Sequence, residues 1–410
     1  MRDIEKIINK YKNITDVAKW KVILLRYGIN NYLKGNALKN YKVKNAVKIP
    51  KSRNCQVYDF SRNQNIIPSE IIIEDRDKNK SLVKLRYNHN SPIELIHDFK
   101  HNDFQLFLEK KEIPLNVFLI KKKGDEIVSL VGEDRMSIVL FDGCWNWNIG
   151  EPCLFCDLNP KRKDYQSLIP SLNSLINFNL DYKKWWNFYK DNYFKELNYS
   201  LKKSFSISQP HKHLLIMSGG FIDNDYLWIM IKETIDKINK IISLDKFDNY
   251  LNVPPLLNNH TKTLKEVKKK GIKQVQFNLE VIGKNNFKNI CPGKNKSIGY
   301  DNYIKSLEIG SEVFGAGKSR TNFVFGLQPV KILLKGIKSL AKKGIVADYS
   351  IFQPKKGTKY YNKKAPSIEE IIDFSIKLAE IYKKYNFNGI YCGLSSRSSI
   401  INEILRNNVS

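Results

Sequence analysis

The chain has no apolar run that reaches the roughly 18 residues of a membrane-spanning helix, so no membrane partner is expected. Its first residues, MRDIEKIINKYK, are charged and lack the apolar segment of a signal peptide, which points to a cytoplasmic protein. Cysteine is scarce, six in 410 residues, and this excludes a disulfide scaffold. Acidic residues are also scarce: 41 Asp and Glu face 69 Lys and Arg, for a net charge of +28. Such an excess attracts polyanions, RNA first among them. The lysines are scattered, however, in short runs such as Lys121–Lys123 and Lys268–Lys270 within a Lys-, Asn- and Ile-rich composition. No Arg-rich arm and no aromatic-interleaved RNA motif stands out. Internal repeats and low-complexity linkers are missing as well, while 42% hydrophobic content describes a globular chain long enough for more than one unit.

The few cysteines are unevenly placed. Cys144, Cys153 and Cys156 lie within FDGCWNWNIGEPCLFCDLNP, directly after the apolar run Met136–Phe141. Three thiolates on one loop suit a soft metal centre, either zinc or iron–sulfur. A closed zinc site usually pairs two two-ligand loops, and no second C-x2-C is present. Cys55, Cys291 and Cys392 lie elsewhere. Cys291 and Cys392 are candidates for a catalytic hydrogen donor, a ligand or an inert thiol, and Cys55 is read as incidental.

Up to residue 132 the pattern is that of an α+β accessory unit. Helical spacing is expected over Asp3–Tyr11, Asp16–Leu33 and Pro92–Lys110, the last opened by Ser91 and Pro92. Strands are expected over Glu70–Glu74, Leu82–Tyr87, Pro114–Ile120 and Glu126–Val131. Covering one mouth of the catalytic unit is the expected role. From 133 to 362 strands alternate with helices. The strands are Ser137–Phe141, His213–Met217, Tyr250–Val253, Gln274–Val281, Thr321–Gly326 and Val346–Phe352. The helices are Leu180–Glu196, Asp223–Ile242, Thr261–Lys269, Tyr300–Val313, Pro329–Lys343 and, beyond the unit, Ser367–Lys384. Such β–α repetition predicts an α/β fold, a parallel sheet closed fully or partly into a TIM-like barrel with its site at the C-terminal strand ends. Residues 363–410 would close it with a helix and a last strand, Gly389–Cys392.

The cysteine loop, C-x8-C-x2-C with Phe155 before the last cysteine, resembles that of the radical S-adenosylmethionine (radical SAM) superfamily, with a widened first gap. Further motifs resemble the same family in the same order. These are Ser218-Gly219-Gly220 after the second strand, Asn278 and Glu280 in QFNLEV, the turn and strand GAGKSRTNFVFG, and Pro354-x-x-Gly357-Thr358. The RTNFVFG stretch is similar to the biotin-synthase-like branch.

The resemblance implies a [4Fe–4S] cluster on Cys144, Cys153 and Cys156, with S-adenosylmethionine on the fourth iron. It implies cleavage to a 5′-deoxyadenosyl radical and hydrogen abstraction from substrate. Phe155, Ser218, Gly219, Gly220, Asn278, Glu280, Ser319, Arg320, Asn322 and Gly326 would bind the cofactor. Arg320 would fork onto the methionyl carboxylate, unless it is instead the buried partner of Glu280. Gln353 would face substrate, and His213 is a packing residue or a catalytic one. A small molecule of cofactor biosynthesis is the favoured substrate, with tRNA or rRNA as the alternative, and a flavodoxin or ferredoxin would deliver electrons. The transferase or lyase subtype stays open. The residues alone also allow a zinc enzyme or a zinc-binding RNA-interaction protein.

Overall fold

The computed structural model describes residues 2–30, 33–34, 65–66, 70–86, 88, 90–98, 103–119, 127–132, 135–158, 169–205, 213–355, 357–389, 394 and 396–407. Helices α1 (Arg2–Lys10) and α2 (Asp16–Tyr27) come first, followed by a two-residue ladder of β1 (Leu33–Lys34) and β2 (Asn65–Ile66). An antiparallel sheet then forms from β3 (Glu70–Glu74), β4 (Lys80–Lys84), β5 (Ile93–Asp98), β6 (Asp103–Leu108), β7 (Lys111–Glu112) and β8 (Asn116–Leu119). Its order is β4-β3-β8-β6-β5, with β7 on β6.

The helix expected over Pro92–Lys110 is instead the strand pair β5 and β6, in register from Ile93 opposite Leu108 to Asp98 opposite Asp103. The segment alternates: Ile93, Leu95 and His97 are buried while Glu94, Ile96 and Asp98 are not. Period-two burial outweighs a helix-start signal that Ser91 satisfies differently. Its hydroxyl donates to the Gly28 carbonyl and accepts from the Ile93 amide.

The second sheet runs β15-β14-β13-β12-β11-β10-β9. Six of these strands are parallel neighbours: β10 (Arg135–Val139), β11 (His213–Met217), β12 (Asp248–Asn252), β13 (Gln274–Gln276), β14 (Ser319–Phe325) and β15 (Ile345–Ile351). The strand β9 (Val128–Val131) adds antiparallel to β10 at one edge. Among the described strands β15 and β9 are not joined, so the sheet is a partial barrel. The helices of this half are α3 (Trp145–Asn148), α4 (Tyr182–Phe205), α5 (Asn224–Asn239), α6 (His260–Lys269), α7 (Lys284–Ile290), α8 (Pro292–Ser297), α9 (Tyr300–Phe314), α10 (Val330–Ala341), α11 (Ile368–Lys384) and α12 (Ile401–Asn407). The expected strand Gly389–Cys392 falls mainly outside the described residues, as do Cys55, Cys392, His211 and Lys121–Lys123.

The strands alternate between layers. On β14, Phe325 stacks on Phe374 of α11 at 4.4 Å, so the odd-numbered side chains face the helices. Arg320 and Asn322 then line the barrel interior. α11 is fixed at its start by a capping box, in which Ser367 and Glu370 exchange hydrogen bonds with each other's backbone amides. Its face of Ile371, Phe374, Leu378 and Tyr382 is buried. α2 and α12 meet through a fully buried ion pair, Lys21 Nζ to Glu403 Oε1 at 2.8 Å. No helix of the described residues is long and apolar enough to cross a membrane.

Candidate active site

The cysteine loop leaves the C-terminal end of β10, and it is held by the turn after β11, by α7 and α8, and by the segment that follows β15. Cys144 sits just before α3 in extended backbone conformation. Its sulfur accepts a hydrogen bond from the Gly220 amide at 3.2 Å, and the Trp145 amide returns one to the Gly220 carbonyl at 2.8 Å. The glycine motif after β11 is therefore the floor of the cysteine loop. A Cβ on Gly219 would stand 2.3 Å from the Gly143 carbonyl oxygen and 3.0 Å from Cys144 Cβ; one on Gly220 would stand 3.3 Å from the Cys144 sulfur. The first distance cannot be met by a rotamer change, because the obstacle is backbone. We expect Gly219→Ala to push the loop off its seat at a cost of about 1–3 kcal/mol in denaturant melts, with Gly220→Ala milder. An unchanged melt for Gly219→Ala would contradict this packing.

Farther along, the Leu154 amide donates to the Ile290 carbonyl at 2.9 Å, and the Tyr360 amide donates to the Leu154 carbonyl at 2.9 Å. Leu154, between two cysteines, is thus stitched to the end of α7 and to the segment that follows Gly357-Thr358. Gly293 admits the loop as well: its amide donates to the Glu151 carbonyl at 3.1 Å, and a Cβ there would come within 2.4 Å of that oxygen. Phe155 packs partly buried against the main core. Asp157, next to Cys156, pairs with Lys355 at 3.0 Å.

The three thiols are near neighbours: Cys153 acts on Cys144, and Cys153 and Cys144 both act on Cys156. Burial and then Cys153 push the Cys144 thiol up. A hydrogen bond with Cys291, then burial, holds Cys153 well above the usual thiol range. Burial and its two neighbours raise Cys156, whose sulfur accepts from the Leu158 amide at 3.5 Å. Protonated thiols must lose their protons when they bind a metal. Among the described residues, no group of three His, Cys, Asp or Glu side chains is drawn together as a single metal ion requires. A multi-iron cluster, with one thiolate per iron, spreads its ligands wider than a lone zinc does. The donor set suits an iron–sulfur centre: three thiols, with Cys153 buried and Cys144 and Cys156 half-buried, backbone amides of Gly220 and Leu158 that donate to sulfur, and the buried Ser218 hydroxyl, which has no hydrogen-bond partner among the described residues.

Beside the thiols lies a cation that sequence reasoning did not single out. Lys294 Nζ donates to the Asn278 carbonyl at 2.8 Å and to Glu280 Oε1 at 2.7 Å. Burial alone would lower its ammonium, but Glu280, the Tyr303 phenol, Cys153 and Cys291 outweigh that and hold it well above the ordinary lysine range. Its one sequence signal is weak: a lysine in CPGKNK, three residues past Cys291.

The partner of Glu280 is thus Lys294 and not Arg320. The strand expected over Gln274–Val281 also stops at Gln276. Glu280 has a left-handed φ of 66° and rejoins the sheet through a lone bridge to Phe323. Asn278 and Glu280 are therefore brought together by Lys294 rather than by strand alternation. Asn278 binds inward, donating to Asn252 Oδ1 at 3.0 Å and accepting from the Asn322 amide at 3.1 Å.

Other expected site residues lie apart. Ser319 Oγ donates to the Leu307 carbonyl on α9, on the helix side of the sheet. Arg320 stands at the N-terminal end of β14, opposite the cysteine loop. Its fork is filled by Asp348, Nε to Oδ2 at 2.8 Å and Nη2 to Oδ1 at 2.7 Å. Gly326 closes β14 at the correct end with φ 102°, where a Cβ would meet the Pro366 ring at 2.7 Å. Gln353 donates its amide to the Leu25 carbonyl of α2, which ties it to the N-terminal half. Cys291 is fully buried against Cys153. His213 is buried on β11.

No family model matches the chain. A stretch of 125 residues is 30% identical to a bacteriochlorophyllide c C-7(1)-hydroxylase of Chlorobaculum limnaeum; it covers 30% of this chain and 31% of that protein, under a third of its length. Among solved structures, the FeFe-hydrogenase maturase HydG of Carboxydothermus hydrogenoformans matches with TM-score 0.41 and 16% identity, over 62% of this chain and 52% of that one. The oxidase HemN of Escherichia coli, described as a radical SAM enzyme, matches at 0.40 and 12% over 63% and 54%. A radical SAM methyltransferase of Sphaerobacter thermophilus matches at 0.40 and 9%, over 76% and 81%.

Proposed function

We propose that this chain, a member of the radical SAM superfamily, is an enzyme that cleaves S-adenosylmethionine and removes a hydrogen atom from a small, cofactor-like substrate. The observation that carries the proposal is the joint construction of the cysteine loop and the glycine turn. Three neighbouring thiols lie on one loop, and the turn that floors it presents the Ser218 hydroxyl, which has no hydrogen-bond partner among the described residues. Cys144, Cys153 and Cys156 would hold a [4Fe–4S] cluster and leave one iron for S-adenosylmethionine. The chemistry supplied when both are bound is one-electron cleavage of the sulfonium C–S bond to a 5′-deoxyadenosyl radical.

The protein's own contribution is placement and exclusion of water. The Gly220 and Leu158 amides donate to two of the ligand sulfurs, an arrangement that tunes cluster potential. Lys294 places a positive charge beside thiolates that become anionic on binding iron. Asn278, Asn322 and Glu280 offer polar groups on the interior side for the cofactor's ribose and amino groups. Gly326 ends the strand that would pass the adenine. Residues 1–132 would roof the open mouth, consistent with the bond from Gln353 to Leu25. An external flavodoxin or ferredoxin would supply the electron.

The named substrate of the hydroxylase relative favours a small molecule over tRNA or rRNA. The +28 charge by itself follows from composition. The ordered set of motifs, from the cysteine loop through Ser218-Gly219-Gly220 to Pro354-x-x-Gly357-Thr358, favours this reading over a zinc enzyme or a zinc-binding RNA protein.

The test is anaerobic reconstitution with iron and sulfide, reduction in the presence of S-adenosylmethionine, and assay of 5′-deoxyadenosine. Brown protein with about four irons per chain and deoxyadenosine formation is the expected result. A colourless, zinc-loaded protein without cleavage would overturn the reading.

A further inference from the structure

β4 is an edge strand of the N-terminal sheet, and Lys84 is its last residue. The Lys84 amide donates to the Arg397 carbonyl at 3.0 Å, and the Arg397 guanidinium pairs with Glu70, directly across the ladder from Lys84. One residue on, Ser398 Oγ lies 3.5 Å from Ser350 Oγ on β15, and Ser350 in turn donates to Asn322 Oδ1 at 3.3 Å. On the barrel side Lys355, four residues beyond β15, pairs with Asp157 at 3.0 Å, beside Cys156. Lys84 is therefore held at a seam. On one side is a polar row leading into the barrel interior; on the other is the end of the cysteine loop.

The charges at this seam do not balance. Lys84 interacts electrostatically with Lys355, Arg397, Asp157 and Glu70. Glu70 is engaged by Arg397 and also accepts from the Gly132 amide at 2.8 Å; Asp157 is engaged by Lys355. Three cations thus share two carboxylates, and Lys84 is partly buried with no ion pair among the described residues. Burial first, and then the two neighbouring cations, keep its ammonium well below the ordinary lysine range. A cation withdrawn from water without a partner is costly, and the cost is relieved when an anion arrives.

We infer that Lys84 anchors an anionic group of the substrate, a carboxylate or a phosphate, at the open side of the barrel beside the cysteine loop. Lys355 and Arg397 reinforce its field while each keeps its own carboxylate. The role as a substrate anchor rests on the radical reading above. The anion site itself depends on neither turnover nor S-adenosylmethionine, so it can be measured without them.

The experiment is calorimetric titration of the full reconstituted chain, at fixed ionic strength and without reductant, with succinate, inorganic phosphate and uncharged succinamide. Wild type should bind at least one of the two anions at a single site and should not bind succinamide. Lys84→Met should weaken that binding at least tenfold, and Lys84→Arg should largely keep it. The tighter of the two anions identifies a carboxylate or a phosphate source. Equal anion binding by wild type and Lys84→Met, or no anion binding by wild type, would overturn the inference. Loss of binding in Lys84→Arg with an unchanged melt would overturn it as well. Failure to form deoxyadenosine would count against the radical reading alone.

Discussion

Alanine at Cys144 or at Cys156 is expected to remove the cluster and take 5′-deoxyadenosine formation below detection. Each thiolate would hold one iron, and the sulfurs that act on these two are the other members of the trio, Cys153 on Cys144 and both Cys153 and Cys144 on Cys156. Among the described residues their hydrogen-bond partners are backbone amides, Gly220 and Asn146 at Cys144 and Leu158 at Cys156. Cys153 differs, because Cys291 is its hydrogen-bond neighbour and is equally buried. Cys153→Ala is expected to lose turnover but to retain some iron through Cys291, whereas Cys153→Ala/Cys291→Ala retains none. Iron and sulfide analysis with electron paramagnetic resonance separates these outcomes from simple misfolding, which would show in the melt of the metal-free protein. Wild-type levels of deoxyadenosine in the Cys144 or Cys156 variant would sink the assignment of that thiol as a ligand.

The strands of the barrel were legible because parallel strands buried on both faces read as short apolar runs between turn residues. HLLIM is a strand over its full expected length, His213–Met217. The three cysteines stood out in the sequence because three thiols crowded onto one loop suit little besides a soft metal centre. Two kinds of information were hidden.

Local conformation overrode pattern at Glu280, whose left-handed backbone ends an apparent strand early. Between Ile93 and Leu108 a helix-start signal masked a two-residue alternation. Pairing across the sheet was hidden altogether. Nothing in the sequence says that Lys294 reaches Glu280 across 14 positions, or that Lys355 reaches back to Asp157. Charged residues report that they need a partner, but only the fold assigns one. Arg320 carried the costliest ambiguity, because an arginine at the base of an interior strand suits a ligand carboxylate and a protein carboxylate equally well.

Arg320→Met is therefore expected to act on stability and not on cofactor affinity. Arg320 and Asp348 are 4% and 0% exposed, so truncating the arginine strands a carboxylate that keeps, among the described residues, only the Tyr382 hydroxyl, at 2.9 Å. Leaving a buried charge without its partner costs about 3–5 kcal/mol. The Asn388 carbonyl loses its donor as well. Removing both charges together, as Arg320→Met/Asp348→Leu, should recover most of that loss, since a buried pair replaced by apolar groups of similar volume is often neutral. Denaturant melts of the two single variants and the double variant measure the coupling, which should be large, the double variant losing far less stability than the sum of the two singles. S-adenosylmethionine binding by Arg320→Met, assayed below its melting range, should stay within a few-fold of wild type, because the guanidinium lies at the end of β14 away from the cysteine loop, about five residues or roughly 16 Å of strand from Phe325. A variant with wild-type stability and a collapse in S-adenosylmethionine affinity would return Arg320 to the methionyl carboxylate and require Asp348 to release it when the cofactor binds.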